Sequence, residues 1–343
     1  MIDAAIDIQG VYKIFGAKPQ SVINLVKDGM SKQELLDKHG HVLGLQNVNI
    51  SIPAKGLQVI MGLSGSGKST LIRHINRLIE PTAGQIMASG RDILAMNRAE
   101  LRNFRRFEVS MVFQKFSLLP HRTVTNNVIY GLEIQGCNKV EAAERSQRWI
   151  DRVGLTGYES YYPAQLSGGM QQRVGLARAL ATDADILLMD EPFSALDPLI
   201  RTDMQDILLS LQKELHKTII FITHDLDEAL RLGDNIAILR DGIVVQQDSP
   251  QKIILSPADN YVAAFTKDIN RGRVLEVGSI MDNSQVDNAP QIPKATAIED
   301  ALQILIKENR EVGQVMDDSK SIGSITMRRM ITSLARPNLN NTN

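Results

Sequence analysis

The chain has very little cysteine, few aromatic residues and no long apolar run. A single cysteine, Cys137, in 343 residues excludes an internal disulfide framework. No stretch approaches the roughly 18 unbroken apolar residues of a membrane-spanning helix. The first residues also lack the basic region and apolar core of a signal peptide. We therefore expect an intracellular protein that reaches a membrane only through a partner.

The chain also lacks an excess of either charge. It carries 38 basic and 39 acidic residues, for a net charge of −1. A nucleic-acid-binding protein normally has a basic excess, so we expect no nucleic-acid partner. A hydrophobic content of 43% indicates a globular protein with an ample core. The length suggests two domains, or one large domain with an appendage.

Strand and helix patterns alternate along most of the chain. Short apolar strands are predicted at 57–63, 184–191 and 218–225, each near a helical pattern, which indicates a mainly parallel α/β sheet. The opening segment 6–16 has the pattern of an edge strand. Residues 17–41 interrupt the sheet with a serine cap, a helical run and a glycine stop. Between about 115 and 182 helices dominate, which predicts an inserted helical subdomain.

The C-terminal part has a different pattern. Residues 236–250 predict a hairpin that turns at Asp241 and Gly242, and we place the end of the first domain near residue 270. A second domain is predicted at 276–335, with strands at 311–316 and 321–325 and a closing helix at 326–335. The tail 336–343 is predicted to be flexible. One helical face is expected to contain Ile298, Ala301, Leu302, Leu305 and Ile306.

The stretch GLSGSGKST at 62–70 has the spacing of a phosphate-binding loop, and it follows a strand and precedes a helix. Gly65 and Gly67 let the backbone wrap closely around phosphates, and Lys68 neutralises the terminal phosphates. The Ser69 hydroxyl can bind Mg²⁺. The sequence thus predicts a ligand with several phosphates, together with Mg²⁺. The predicted nucleotide-binding residues of this loop are Gly62, Ser64, Gly65, Ser66, Gly67, Lys68, Ser69 and Thr70.

Two adjacent acidic residues follow the apolar strand ILLMD. The strand delivers Asp190 to the edge of the sheet, where it can hold Mg²⁺ through water. Glu191 follows at once and can orient or deprotonate an attacking water. This pair predicts hydrolysis, and it disfavours a regulatory module that binds nucleotide without turnover.

The stretch LSGGMQQR at 166–173 combines a helix-capping serine with two glycines, which have no side chain to cover the backbone. Ser167 can cap the helix that follows, and Gly168 and Gly169 leave N–H groups uncovered at its start. A helix start of this kind favours an anion. The pattern predicts an anion-binding element and leaves the anion open.

These three motifs, with VFQ, SALD and ITHD in the same order, resemble the ATP-binding-cassette (ABC) ATPases over residues 1–270. The resemblance implies the α/β fold of a P-loop NTPase, an ABC-type nucleotide-binding domain with an inserted helical subdomain. It also implies that two chains sandwich two ATP molecules, so that the LSGGM helix closes over the γ-phosphate held by the other chain. The chain would then be a homodimer.

The resemblance assigns roles to further residues. Gln114 would bind Mg²⁺ and sense the partner, Glu191 would be the catalytic base, and His224 would contact the γ-phosphate. Asp197 would lie at the dimer interface, where Ser167, Gly168 and Gly169 act on the other chain's nucleotide. Phe15 matches the aromatic residue that stacks on adenine, and Tyr12 is the alternative.

The insert at 17–41 and the C-terminal region are similar to those of glycine betaine/proline betaine importer ATPases. This resemblance implies uptake of a small osmolyte such as glycine betaine, proline betaine or choline. The expected partners are a transmembrane permease and a periplasmic or membrane-anchored substrate-binding protein, at the cytoplasmic face of the bacterial inner membrane. The alternatives are an importer for another small solute and a soluble ABC ATPase that has no part in transport. The absence of a heptad run and of a second phosphate loop disfavours the soluble classes.

Two details of this resemblance remain open at the level of sequence. Phe116, Leu118 and Leu119 are candidates for the groove that receives the permease, and their alternative is the core of the helical subdomain. Residues 276–335 provide length for one CBS-like repeat, in which Thr326 would contact a ribose or phosphate. Arg329 stands where that family favours aspartate, so dimerisation without ligand binding is the favoured role.

Overall fold

The computed structural model describes residues 4–114 and 117–335. The chain divides into two compact units, one formed by Met1–Asp225 and Leu232–Val244, the other by Leu226–Arg231 and Val245–Asn343. Over the described ranges, each helix is too short or too polar to span a bilayer. The domain boundary near residue 270 stays a prediction.

The elements are numbered in chain order. The strands are β1 (Ala4–Phe15), β2 (Val42–Pro53), β3 (Leu57–Met61), β4 (Ala83–Ala88), β5 (Arg91–Asp92), β6 (Val109–Val112), β7 (Ile186–Asp190), β8 (Thr218–Thr223), β9 (Asn235–Arg240), β10 (Ile243–Asp248), β11 (Gln291–Pro293), β12 (Val312–Asp317) and β13 (Lys320–Thr326). The helices are α1 (Ile23–Lys27), α2 (Lys32–His39), α3 (Lys68–Ile75), α4 (Arg98–Asn103), α5 (Val124–Gln135), α6 (Lys139–Arg152), α7 (Gly168–Ala181), α8 (Pro198–Leu215), α9 (Leu226–Leu232), α10 (Pro250–Leu255), α11 (Asn260–Phe265), α12 (Arg271–Val274), α13 (Val277–Ile280), α14 (Ile298–Lys307) and α15 (Met327–Leu334).

The central sheet has the strand order β10-β9-β3-β8-β7-β6. The pairs β3–β8, β3–β9, β7–β8 and β6–β7 are parallel, which confirms the predicted parallel α/β sheet. Strands β3, β7 and β8 are buried along their whole length, as parallel strands covered on both faces must be. Because parallel strands end at one edge, the segments that follow β3, β7 and β8 meet there.

A second, antiparallel sheet has the order β2-β1-β4-β5. Strand β1 was expected at an edge, and this prediction is wrong, because β1 pairs with β2 on one side and with β4 on the other. Strand β4 follows the phosphate-loop helix in sequence and returns to β1. The approach is close, because a Cβ on Gly84 would lie 2.5 Å from the carbonyl oxygen of Gly10. Nothing local to β1 indicates this partner.

The interruption at 17–41 is helical, and its predicted cap and stop are confirmed. Ser31 caps α2 by accepting from the Glu34 N–H, and the Glu34 side chain accepts in return from the Ser31 N–H. Gly40 ends the helix with φ 64°, a left-handed conformation that glycine adopts at little cost. The two helices pack on the antiparallel sheet through a cluster of Ile14, Val22, Ile23, Val26, Leu35 and Leu43.

The segment between β6 and β7 contains helices α5, α6 and α7. Each helix starts at a polar cap: Thr123, Asn138 and Ser167 accept hydrogen bonds from backbone N–H groups three residues on. Such caps satisfy N–H groups that would otherwise lack a partner at a helix start. The predicted serine cap of the LSGGM helix is therefore confirmed.

The second unit contains a three-stranded sheet, β11-β12-β13, and helix α14. Ile298, Ala301 and Leu305 of α14 are buried, as predicted. Ile306 was expected on the same face but is 64% exposed, so that part of the prediction is wrong. A helical step of 100° per residue turns Ile306 away from its buried neighbour Leu305. The tail 336–343 lies outside the described residues.

Leu35 tests how firmly the insert is held. Its side chain is fully buried, whereas the adjacent Leu36 is 47% exposed. Leu35→Ala should lower the free energy of unfolding by about 2–4 kcal/mol, because it removes transfer energy and leaves a cavity. Leu36→Ala is the matched control and should cost less than about 1 kcal/mol. Urea unfolding followed by circular dichroism measures both, and equal losses would contradict the packing of α2.

Candidate functional site

The phosphate-binding loop connects β3 to α3 at the edge of the central sheet. Gly65 and Gly67 have φ values of 79° and 102°, which glycine adopts without strain. The Lys68 ammonium is buried and donates to the carbonyl oxygens of Gly62 at 2.8 Å and Leu63 at 3.1 Å. Burial lowers the pKa of Lys68, and the nearby Glu191 carboxylate opposes that shift. The loop thus holds a buried cation against its own backbone carbonyl groups.

The loop is supported by two neighbouring backbone segments. A Cβ on Gly67 would lie 2.9 Å from the carbonyl oxygen of Gly44, and one on Gly242 would lie 2.5 Å from the same oxygen. The Gly242 N–H also donates to the Ser66 carbonyl oxygen at 3.0 Å. The predicted turn at Asp241 and Gly242 has positive φ at both residues. These contacts hold the loop from strand β2 and from the β9–β10 turn.

Asp190 ends strand β7 and is fully buried. Its carboxylate accepts from the Ser69 hydroxyl at 2.7 Å and from the Arg73 guanidinium at 3.1 Å. Two of the predicted magnesium-binding residues, Ser69 and Asp190, are therefore in contact. Sequence reasoning missed Arg73, although its position four residues after Ser69 on α3 places both on one helical face.

Glu191 adopts a left-handed backbone conformation with φ 45°. A residue with a Cβ is strained in this region, and such strain recurs at functional sites. The Glu191 N–H donates to the Ile222 carbonyl oxygen at 3.1 Å, which ties the residue to the neighbouring strand β8. The strained backbone fixes the direction in which the carboxylate leaves the strand.

Three predicted residues, Lys68, Gln114 and His224, meet at the Glu191 carboxylate. One oxygen lies 3.6 Å from the Lys68 ammonium. The other accepts from the Gln114 amide at 3.1 Å and lies 3.3 Å from Nδ1 of His224. Gln114, Glu191 and His224 follow β6, β7 and β8, so the common edge of the sheet brings them together.

A cavity of about 550 Å³ extends from this loop. Phe15 borders it and is 40% exposed. Tyr12 packs instead against the cluster that holds the insert. Of the two aromatic candidates, only Phe15 is among the residues that line the cavity, which are Phe15, Lys32, Gln33, Leu36, Val42, Leu43, Gly44, Ser64, Gly65, Gly67, Lys68, Ser69, Thr70, Gln114 and Glu191.

The residues present fit a nucleotide with a bound magnesium ion. The Lys68 ammonium, the Ser69 hydroxyl and the bare backbone of Gly65 and Gly67 line one cavity, and this donor set suits the phosphates of a nucleotide. Among residues 4–114 and 117–335 no group of three or more His, Cys, Asp or Glu side chains could hold a metal. Magnesium keeps several waters and needs few protein ligands. The hydroxyl of Ser69 and the carboxylate of Asp190 are therefore enough protein ligands for one magnesium ion.

The LSGGM residues lie elsewhere in the first unit, because Ser167, Gly168 and Gly169 do not line this cavity. Gly169 packs tightly on α8, since a Cβ there would lie 2.6 Å from the Ile200 side chain. Asp197 caps α8 by accepting from the Ile200 N–H at 3.1 Å. The contribution of these residues to a second chain's nucleotide stays a prediction.

The candidate permease-docking residues that the structure describes are neither fully buried nor fully exposed. Leu118 and Leu119 are half-buried, and Phe116 lies outside the described residues. The buried Asn127 amide donates to the carbonyl oxygens of Leu119, Arg122 and Thr123. Sequence reasoning missed Asn127, and an asparagine inside an apolar helical pattern was the available signal.

The predicted CBS-like residues lie in the second unit. Thr326 caps α15 by accepting from the Arg329 N–H at 3.1 Å, and the Arg329 guanidinium pairs with Asp282. A cavity of about 620 Å³ is bordered by Thr326, Met327, Arg328 and Ile331, among others. Ligand binding and dimerisation both stay predictions for this region.

With the loop, the two acidic residues and the converging Gln114 and His224 in place, the fold and site are those of a P-loop ATPase of the ABC type. Residues 45–194 match the ABC transporter family model. The chain is 47% identical over 338 residues to the glycine betaine/carnitine transport ATP-binding protein of Listeria monocytogenes, covering 97% of this chain and 83% of that protein. The chain therefore belongs to the ATP-binding subunits of ABC transporters and is an ATPase.

Two further relatives and one solved structure agree. The glycine betaine/proline betaine transport system ATP-binding protein of Escherichia coli is 46% identical, over 96% of this chain and 83% of that protein. The trimethylamine N-oxide transport system ATP-binding protein of Pelagibacter ubique is 42% identical, over 96% and 97%. A dimeric ATP-binding cassette bound to ADP and Pi, in a post-hydrolysis state, is 31% identical with a TM-score of 0.61 and covers 71% of this chain and 98% of that one.

Asp190→Asn tests the buried carboxylate. The change removes the charge that faces Arg73 and should cost about 1–3 kcal/mol of unfolding free energy. It should also weaken the Mg²⁺ dependence of ATP binding. Asp185→Asn is the control, because that side chain is 90% exposed just before the same strand. Urea unfolding and ATP titrations at graded Mg²⁺ compare the two, and equal behaviour would contradict the role of Asp190.

Proposed function

We propose that this chain is the ATPase subunit of an importer for a small osmolyte with a quaternary nitrogen, such as glycine betaine, proline betaine or choline. This proposal is supported by the share of the chain that aligns with each relative. The glycine betaine and trimethylamine N-oxide transport proteins align with 96–97% of the chain, including the insert and the second unit. A methionine import protein of Staphylococcus haemolyticus, 44% identical, aligns with only 67%.

The observation that supports hydrolysis most directly is the set of polar groups around the Glu191 carboxylate. Its carboxylate accepts the proton of a water whose oxygen attacks the γ-phosphorus, while the bond from that phosphorus to the bridging oxygen breaks. The Gln114 amide donates to this carboxylate at 3.1 Å, and Nδ1 of His224 lies 3.3 Å from it. His224, with its side chain 56% exposed, is free to contact the γ-phosphate and to stabilise charge that develops there.

Lys68 and Ser69 act on the phosphates from the loop. The buried ammonium of Lys68 exchanges its bonds to Gly62 and Leu63 for phosphate oxygens. Ser69, Asp190 and Gln114 hold Mg²⁺, which when bound neutralises the charge on the β- and γ-phosphates. Glycines 65 and 67 leave their N–H groups accessible to phosphate, as at other helix starts.

The second half of the site comes from another copy of the chain. Ser167, Gly168 and Gly169 at the start of α7 meet the γ-phosphate held by the partner, and Asp197 lies at the same interface. The separation of these residues from the cavity in a single chain supports this arrangement. The homodimer drives a transmembrane permease, served by a substrate-binding protein.

The remaining assignments follow from this role. The subunit is peripheral, at the cytoplasmic face of the bacterial inner membrane, with the surface around Leu118 and Leu119 against the permease. The ATPase domain occupies 1–270, with its insert at 17–41 and its helical subdomain at 115–182. The CBS-like domain at 276–335 dimerises the subunits.

Uptake by the assembled transporter tests the proposal. The full chain is reconstituted in proteoliposomes with its permease and binding protein, and uptake of labelled glycine betaine is measured with ATP on the chain's side. Glu191→Gln should retain ATP binding and trap a nucleotide-bridged dimer. Its hydrolysis and uptake should fall by at least about 100-fold, because the amide accepts no proton from water.

Two results would contradict the proposal. Undiminished turnover by Glu191→Gln would remove the catalytic base. Uptake of methionine with none of glycine betaine, proline betaine or choline would favour the importer of another solute. A chain that hydrolyses ATP at full rate without any permease partner would favour the soluble class.

Ser167→Arg tests the shared site. A bulky cation at the start of α7 should obstruct the interface between two chains, so hydrolysis should fall by at least about tenfold. ATP affinity of the isolated monomer should stay within about twofold, because Ser167 does not line the cavity of its own chain. Equilibrium titration of the monomer measures this, and loss of binding there would place the helix in its own chain's site.

A further inference from the structure

Three half-exposed apolar side chains border the nucleotide cavity. In the sequence they lie well before the catalytic residues. Phe15, Leu36 and Val42 are 40%, 47% and 53% exposed and come from β1, α2 and β2. All three line the same cavity as the phosphate-loop residues Ser64, Gly65, Gly67, Lys68, Ser69 and Thr70. They also precede residue 45, where the match to the ABC transporter family begins. We name Phe15, Leu36 and Val42 the apolar end of the cavity.

Helix α2 is fixed where it borders this end. Leu35, next to Leu36, is fully buried with Ile14 and Leu43 in the cluster that holds the insert. Lys32, Gln33 and Leu36 line the cavity, and residues at this spacing share one helical face. Since Leu35 anchors the inner side of the helix, Leu36 is held at the cavity without being part of the core.

The insert is also linked to the phosphate loop. The Lys32 ammonium lies 3.5 Å from the Asp241 carboxylate. The next residue, Gly242, donates its N–H to the Ser66 carbonyl oxygen at 3.0 Å. The ion pair is solvent-exposed and contributes little energy. It nevertheless connects α2 with the same turn that supports the loop.

The Phe15 ring is partly packed and partly exposed where it borders the cavity. A Cβ on Gly44 would lie 2.7 Å from Cε2 of the ring, so the ring packs on the bare backbone of β2. The Lys13 ammonium lies 5.0 Å from the ring centroid, and Lys13 does not line the cavity. The Phe15 side chain is therefore held against β2, while 40% of it remains exposed and borders the cavity.

We propose that α2 of the insert forms a second wall for the nucleobase, with Leu36 and Val42 packing on the base that stacks on Phe15. This inference rests on the proposed ATP-binding function and extends it to residues of the insert. A base is flat with apolar faces, and a continuous cavity connects the apolar end to the phosphate loop. Burial of Leu36 surface by the base gives binding energy that a phosphate chain alone does not receive.

The test compares two ligands that differ in the base. Binding of ATP and of inorganic tripolyphosphate to the full chain is measured by calorimetry. Leu36→Ala should weaken ATP binding about fivefold to tenfold, the loss expected for about 1–1.4 kcal/mol of apolar contact. Tripolyphosphate binding should be unchanged. Leu36→Phe should tighten ATP binding and leave tripolyphosphate binding as it was.

The control is Leu78→Ala, because Leu78 is 51% exposed and does not line the cavity. It should leave both affinities unchanged. Equal ATP affinities for the Leu36→Ala and wild-type chains would overturn the second wall, and so would an equal loss for both ligands, which would show that α2 acts on the loop alone. Failure of the wild-type chain to bind either ligand would overturn the proposed function instead.

Discussion

The catalytic half-site depends on one buried carboxylate. Asp190 has no access to water, so its charge must be paired within the protein. Ser69 and Arg73, one turn apart on α3, provide that pairing at 2.7 Å and 3.1 Å. The contact fixes the start of the phosphate-loop helix relative to the end of β7. It thereby brings Lys68, the residue before Ser69, to the carboxylate of Glu191.

Close backbone approach is the second constraint on the site. The loop, strand β2 and the β9–β10 turn meet at Gly67, Gly44 and Gly242, where an added Cβ on Gly67 or Gly242 would lie within 3 Å of the Gly44 carbonyl oxygen. Packing at this distance leaves the loop little freedom to change shape. Lys68 and the loop N–H groups are therefore positioned before any phosphate arrives, which lowers the cost of binding it.

The two ends of the cavity come from different parts of the chain. The end at Glu191 is made by segments that follow parallel strands, and its residues belong to recognised motifs. The apolar end is made by β1, α2 and β2, and its helix belongs to the insert. The insert is thus part of the first unit's core through Leu35 and part of its ligand cavity through Leu36.

The sequence by itself determined the local features of this protein. The phosphate loop, the Ser31 and Ser167 caps and the Asp241–Gly242 turn each depend on hydrogen bonds within a few residues, so their patterns are readable in the sequence. The buried apolar strands likewise predicted a parallel sheet, and parallel strands in turn brought Gln114, Glu191 and His224 together.

Only the tertiary structure decided which surfaces meet. Strand β1 lies between β2 and β4, Arg73 reaches Asp190, and Tyr12 joins the insert's cluster while Phe15 borders the cavity. Each of these outcomes depends on residues far apart in sequence, whose packing has no local signal. The position of Leu36 at the cavity is of the same kind, because it follows from how α2 packs on the antiparallel sheet.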